Sequence, residues 1–141
     1  MAEIEMTIDS IRVSATTNQK VVILKEKGRE RYLPMWIGML EADSIAIKMQ
    51  NVPMPRPLTH DVICSIINVA GLKIKSVIIA KLEADRFYAK LVMTCNDKSH
   101  EIDCRPSDAL AVAVRIGVPI FADEEVLDTV GIFLEEEEYL E

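Results

Sequence analysis

Two stretches of this chain, 67 positions apart, carry the same pattern. Glu41-Ala42 meets Asp108-Ala109, and Ile45-Ala46-Ile47-Lys48-Met49 meets Val112-Ala113-Val114-Arg115-Ile116. With one residue removed, Val52-Pro53-Met54 meets Val118-Pro119-Ile120. Upstream of each lie runs with the period of a hairpin. A chain that repeats strand, strand, helix and Val-Pro exit is constrained to an α+β fold. The expectation is two related strand–strand–helix units, arising by internal duplication, whose antiparallel or mixed sheet packs with helices. Each unit then presents a carboxylate, Glu41 or Asp108, in the first turn of a helix.

The local patterns fill in the rest. Ile4, Met6 and Ile8 alternate with polar residues, and the phase slips at Ser10 before Ile11 and Val13 resume, which predicts a bulge. Residues 21–25 and 31–37 form a hairpin around Gly28, and Pro34 places the second strand at an edge or bulge. Residues 39–50 read as a helix. Pro53, Pro55 and Pro57 make the following connector non-helical. Thr59 is the expected N-cap of a helix over 59–70 closed by Gly71, with Val62, Ile63, Ile66, Ile67 and Ala70 as its core face. Strands are expected over 72–82, 86–95 and 100–104. A buried helix then starts at Pro106 and runs to 116, and a short last helix spans 123–129.

A chain of 141 residues suits one domain, here residues 1–134, with an acidic tail over 135–141. Half the residues are hydrophobic but only 5% are aromatic, so the core must be aliphatic. The three cysteines form no C-x-x-C pair and suit small buried side chains in a reducing compartment. With two histidines they match no familiar zinc spacing. There is no basic region followed by an apolar run at the start, and no apolar stretch of the ~18 residues a membrane span needs. The expectations are a cytoplasmic location and no membrane partner. A net charge of −7 opposes general attraction to nucleic acid. A polyanionic substrate needs a local basic patch or a divalent cation to overcome it.

Chemistry concentrates at three places. Arg105-Pro106-Ser107-Asp108 sits at a strand-to-helix junction. There, free N–H groups, a bidentate guanidinium and a hydroxyl suit phosphate, and Asp108 suits Mg²⁺. Arg56-Pro57-Leu58-Thr59-His60-Asp61 joins another arginine to a helix start. His60 there is a candidate general acid or base, with Asp61 to orient it or bind metal. Trp36-Ile37-Gly38-Met39-Leu40-Glu41 carries the counterpart of Asp108, with a lone tryptophan that most often serves a core or interface. Glu101 and Asp103 share a strand face within reach of a metal. Helix capping alone also accounts for much of this. No phosphate loop, dinucleotide fingerprint, nucleophile elbow or zinc-protease motif occurs.

These blocks resemble a known family. Tyr32-Leu33-Pro34-Met35-Trp36-Ile37-Gly38 with Glu41-Ala42 and Ile45-Ala46, then Arg56 to Asp61, then Ile102-Asp103-Cys104-Arg105-Pro106-Ser107-Asp108-Ala109, are similar to the signature blocks of bifunctional nuclease domains. The resemblance spans roughly residues 5 to 130, and leads to alanine rather than Cys104 before Arg105. It implies an α+β fold, a homo-oligomer with a dimer favoured, and cleavage of RNA and DNA. The block positions are Glu41, Arg56, His60, Asp61, Arg105, Ser107 and Asp108.

The expected function is phosphodiester hydrolysis of nucleic acid. His60, Asp61 and Asp108 are its catalytic candidates, and Arg56, Arg105 and Ser107 its phosphate ligands. Glu41, Asp103 and Asp108 are candidate ligands for Mg²⁺ or Mn²⁺, and no organic cofactor is expected. The alternative is a non-enzymatic homo-oligomeric binding module in which the arginines and aspartates are structural caps. Geometry separates the two readings. Convergence of His60, Asp61, Arg105 and Asp108 on a concave surface favours catalysis, and mutual satisfaction in buried pairs favours the module.

Overall fold

The computed structural model describes residues 2–14, 16–17 and 19–133. Alternation writes a first antiparallel meander, β1 (Glu3–Val13), β2 (Lys20–Glu26) and β3 (Arg31–Ile37). Its register shifts between Ile8 and Ser10, the bulge that the phase slip implies. Pro34 lies beyond the two residues of β3, Arg31 and Tyr32, that pair with the short β8 (Ile132–Phe133). A residue without an N–H belongs at such a one-sided position.

Helices α1 (Met39–Met49) and α2 (Thr59–Val69) follow, separated by the proline-rich connector. A second meander, β4 (Lys73–Glu83), β5 (Arg86–Cys95) and β6 (Lys98–Cys104), leads into α3 (Pro106–Ile116). Its turns, Ala84-Asp85 and Asn96-Asp97, have φ of 51°, 62°, 51° and 64°. Both central residues are left-handed in each, the conformation whose twist matches a two-residue hairpin. The chain ends in β7 (Ile120–Asp123), α4 (Glu124–Val130) and β8.

The eight strands of the described residues form one mixed sheet, ordered β6-β5-β4-β7-β1-β2-β3-β8. β7 joins the meanders, antiparallel to β1 and parallel to β4. β3 and β6 stand six places apart, roughly 29 Å in a flat sheet at ~4.8 Å per strand. Yet the helices that follow them, α1 and α3, pack on one another. α4 likewise touches both β3 and β4. The sheet must therefore curl, and the curl brings the ends of β3 and β6 to one place.

α3 is the central helix and packs against α1, α2, β4 and β5. Its Ala109, Leu110, Ala111, Val112 and Ala113 are all buried, as a helix apolar all round requires. The core is aliphatic, with Val22, Leu24, Leu33, Ile45, Val77 and Ile79 fully enclosed.

Several expectations need correction. The N-cap of α2 is Leu58, not Thr59, and it is capped by the Asp61 carboxylate, which accepts from the Leu58 N–H at 2.8 Å. Only part of the expected α2 face is core. Ile63 and Ile67 pack inward with Cys64, while Val62 and Ile66 are exposed. Trp36 is 59% exposed, so it serves no core. The cysteines are free and half-buried rather than enclosed. β7 and β8, of four and two residues, are too short for periodicity to reveal.

The order strand, strand, helix does occur twice, as β2-β3-α1 and β5-β6-α3, although element order does not decide common origin. The acidic tail expected at 135–141 lies outside the described residues. Among the described residues no helix is long and apolar enough to cross a membrane.

Candidate functional site

α1, α2 and α3 each carry a carboxylate at the third helical position: Glu41, Asp61 and Asp108. There a negative charge meets the unpaired N–H groups and the positive dipole end of the helix. Two of the three join at one point. Arg105, the N-cap of α3, donates from Nε to Asp108 Oδ2 at 2.9 Å and from Nη2 to Asp108 Oδ1 at 3.0 Å. Its Nη1 donates to Glu41 Oε2 on α1 at 3.0 Å.

The second residue of α2, His60, completes the junction and is buried. Its Nε2 lies 3.0 Å from Asp108 Oδ1, and its Nδ1 lies 2.9 Å from Ser44 Oγ on α1. A chain of polar contacts thus runs Ser44, His60, Asp108, Arg105, Glu41 and ties the three helices together. Burial pushes the Asp108 carboxyl up, but Arg105 and His60 outweigh burial and hold it below the usual carboxylate range. Asp108 raises the Arg105 guanidinium in return, with Glu41 adding to it. Ionised Asp108 only accepts hydrogen bonds, so His60 Nε2 carries a proton and donates it there. The lone pair of neutral His60 is then on Nδ1, facing the Ser44 hydroxyl.

Two cavities flank this junction. A cleft of about 650 Å³ is lined by Trp36, Gly38, Arg86, Tyr88, Asp103, Ser107 and Asp108. A cavity of about 440 Å³ is lined by Leu40, Ser44, Ile47, Leu58, Thr59 and His60. Glu41 and Arg105 line both and form the wall between them. Cys104 borders the larger cleft. Burial raises its thiol to about 11, with Asp108 and Asp103 adding to the rise. It stays a neutral thiol and is no nucleophile.

The other candidates go elsewhere. Asp61 does not orient His60; that place belongs to Asp108. Asp61 instead accepts from Arg115 Nε at 2.7 Å as well as from Leu58. The Leu58 N–H and then Arg115 lower its carboxyl. Arg56 is exposed on a separate groove beside Asp61 and Arg115. Ser107 is buried and lines the larger cleft. Asp103 lines that cleft from the exposed strand β6.

Glu41, Asp103 and Asp108 do not fit a resident metal. Arg105 fills the space between Glu41 and Asp108 and takes both oxygens of Asp108, leaving no open carboxylate pair there. Among the described residues no three His, Cys, Asp or Glu side chains are grouped to hold an ion.

Two participants escape sequence reasoning. Ser44 sits on the buried side of α1, and its only signal is a hydroxyl among apolar helix residues. Arg115 has a side chain only 5% exposed. Besides Asp61 it donates to the Ala111 carbonyl at 3.0 Å and the Ser44 carbonyl at 3.2 Å. An arginine closing a run of buried apolar residues was its signal.

Comparison with known proteins decides the family. A model of the bifunctional nuclease domain matches residues 22–135. The chain belongs to the bifunctional nuclease domain family. An uncharacterized protein of Mycobacterium tuberculosis is 43% identical over 133 residues, 94% of this chain and 79% of its own. Bifunctional nuclease 2 of Oryza sativa subsp. japonica is 31% identical over 118 residues, 81% of this chain. Bifunctional nuclease 1 of Arabidopsis thaliana is 27% identical over 103 residues, 71% of this chain. The domain spans only 36% and 32% of those two plant chains. Glu41, His60, Arg105 and Asp108, family-like positions from three separate blocks, meet at the junction.

Proposed function

We propose that this bifunctional nuclease domain hydrolyses phosphodiester bonds in RNA, DNA or both. One observation carries the reading: His60 is held by Asp108, 48 residues away, and lines a cavity whose wall toward the larger cleft is Arg105. Phosphate would approach Arg105, whose side chain is 62% exposed despite its carboxylate partners. His60 would take up and return the proton as one P–O bond forms and another breaks. Asp108 would hold the ring and stabilise its charged form. The plant relatives named as nucleases support the reaction class.

One feature favours the second reading, a non-enzymatic binding module. His60, Asp108, Arg105 and Glu41 already satisfy one another, as structural caps would. The two readings separate on cleavage of labelled single-stranded RNA and duplex DNA by highly purified protein. Folded His60→Gln and Asp108→Asn preparations run beside it, each with Mg²⁺, Mn²⁺ or EDTA. Cleavage lost in both variants supports the nuclease. Cleavage equal in both overturns this site, and no cleavage under any condition moves the conclusion to the module. The EDTA arm tests whether a divalent ion arrives with the substrate phosphate.

A further inference from the structure

We propose that Ser44 is the nucleophile of this domain, activated by His60 and Asp108, and that cleavage passes through a phosphoseryl intermediate. The inference rests on the nuclease reading and names the atom from which His60 takes its proton.

The geometry has the three parts that nucleophilic catalysis needs. Ser44 Oγ lies 2.9 Å from His60 Nδ1, and His60 Nε2 lies 3.0 Å from Asp108 Oδ1. Both distances fall in the range of about 2.6–3.2 Å that links a nucleophile, its base and the group that orients the base. The proton positions agree. With Nε2–H directed to Asp108, a neutral ring has its lone pair on Nδ1, placed to accept from the Ser44 hydroxyl. A serine inside a helix commonly turns its hydroxyl back to the carbonyl four residues earlier. Ser44 instead sends it across to α2.

The surroundings fit an anionic ester. Ser44 and His60 open on the same cavity of about 440 Å³. Leu40, Ile47 and Leu58 give it apolar walls. Arg105 sets a positive charge against the two carboxylates that also line it, Glu41, which Arg105 itself holds, and Asp43, which pairs with Lys20 at 2.6 Å. Thr59, at the first position of α2, also lines it, and its N–H has no acceptor within the helix. A phosphoryl oxygen there would meet a donor, the positive end of the helix dipole and a guanidinium.

The step balances without a further reactant. The Ser44 proton moves to His60 Nδ1 as Oγ forms a bond to phosphorus. The bond from phosphorus to the leaving sugar oxygen breaks, and that oxygen takes the proton back from Nδ1. Water then attacks the phosphoseryl diester, giving its proton to Nδ1. The P–Oγ bond breaks, and Ser44 recovers its proton.

A fluorophosphonate probe reads the nucleophile without needing nucleic acid. Peptide mapping should place the adduct on Ser44, with labelling absent in Ser44→Ala and at least about 100-fold slower in His60→Gln. Cleavage by Ser44→Ala should fall about a thousand-fold or more. An acid quench during turnover should trap nucleotide on Ser44. Ser44→Cys, which changes only oxygen to sulfur, should fold as the parent does and lose the label, because a fluorophosphonate reacts poorly with a thiol. Circular dichroism and thermal melting check every variant. Labelling of Ser44 without cleavage of any nucleic acid would support the nucleophile and overturn the nuclease reading. Undiminished cleavage by folded Ser44→Ala would overturn the nucleophile and leave the nuclease. Absence of labelling in the folded parent would also overturn it.

Discussion

Arg105 donates to Glu41 Oε2 at 3.0 Å across 64 residues of sequence, joining the start of α3 to the start of α1. The same guanidinium holds both oxygens of Asp108. Its side chain is 62% exposed, so solvent screens the Glu41 pair. Glu41→Gln should therefore lower stability by less than about 1 kcal/mol. It should also release one guanidinium N–H and remove a negative charge beside it. Affinity for inorganic phosphate, measured by calorimetry at low salt, should rise several-fold.

Gly38 offers a second route to the same state. Its φ of −65° suits any residue. A Cβ at this position would collide with the Glu41 carboxylate. Gly38→Ala should fold normally and push Glu41 away from Arg105. Combined with Glu41→Gln it should add nothing further to phosphate affinity, a non-additivity that a double-mutant cycle measures.

Acid should weaken the fold through Asp108 and Asp61. Both carboxyls lie below their ordinary value in the folded state. Their contribution is complete above the unfolded value of about 3.9 and is lost as pH falls through the lower folded values. Urea unfolding followed from about pH 6 to about pH 2 should show this acid limb. Asp108→Asn and Asp61→Asn should each flatten it while lowering stability at neutral pH.

Arg115 should matter more to folding than to chemistry. It bridges Asp61, Ala111 and Ser44 from a buried position. Arg115→Met should destabilise the domain by about 3 kcal/mol, because breaking such a pair leaves its partners unsatisfied. Denaturant midpoints measure the loss.

Ala84 stands at φ 51° in the β4–β5 turn, where a Cβ approaches the following carbonyl. That strain is about 1 kcal/mol for an L-residue, and asparagine tolerates the region better. Ala84→Asn should raise stability by about 0.5–1 kcal/mol and leave the cleft beside Asp85 intact.

The sequence showed what is written locally. The slip at Ser10, the first-turn position of Pro106 and the buried run from Ala109 each follow from period and residue type. The junction was half legible. Arg105, Asp108, His60 and Glu41 were marked by their helix starts, but which of them pair, and Ser44, were not. Asp61 stood next to His60 in sequence, and adjacency suggested a pair. In a helix, consecutive side chains point about 100° apart, so Asp61 turned to Arg115 and Asp108 took its place. Ser44 carried little signal because its partner His60 lies on the next helix, beyond the proline-rich connector, and no local pattern tells how the two helices meet.

β7 fills the gap between β1 and β4, yet it begins only at Ile120. A ribosome making this chain therefore releases both flanking meanders before the strand that joins them. Until then β1 and β4 each show an open edge, the kind of template on which unfinished chains pair with their neighbours. A chain stopped before Ile120 lacks the four-residue strand through which its two half-sheets become one.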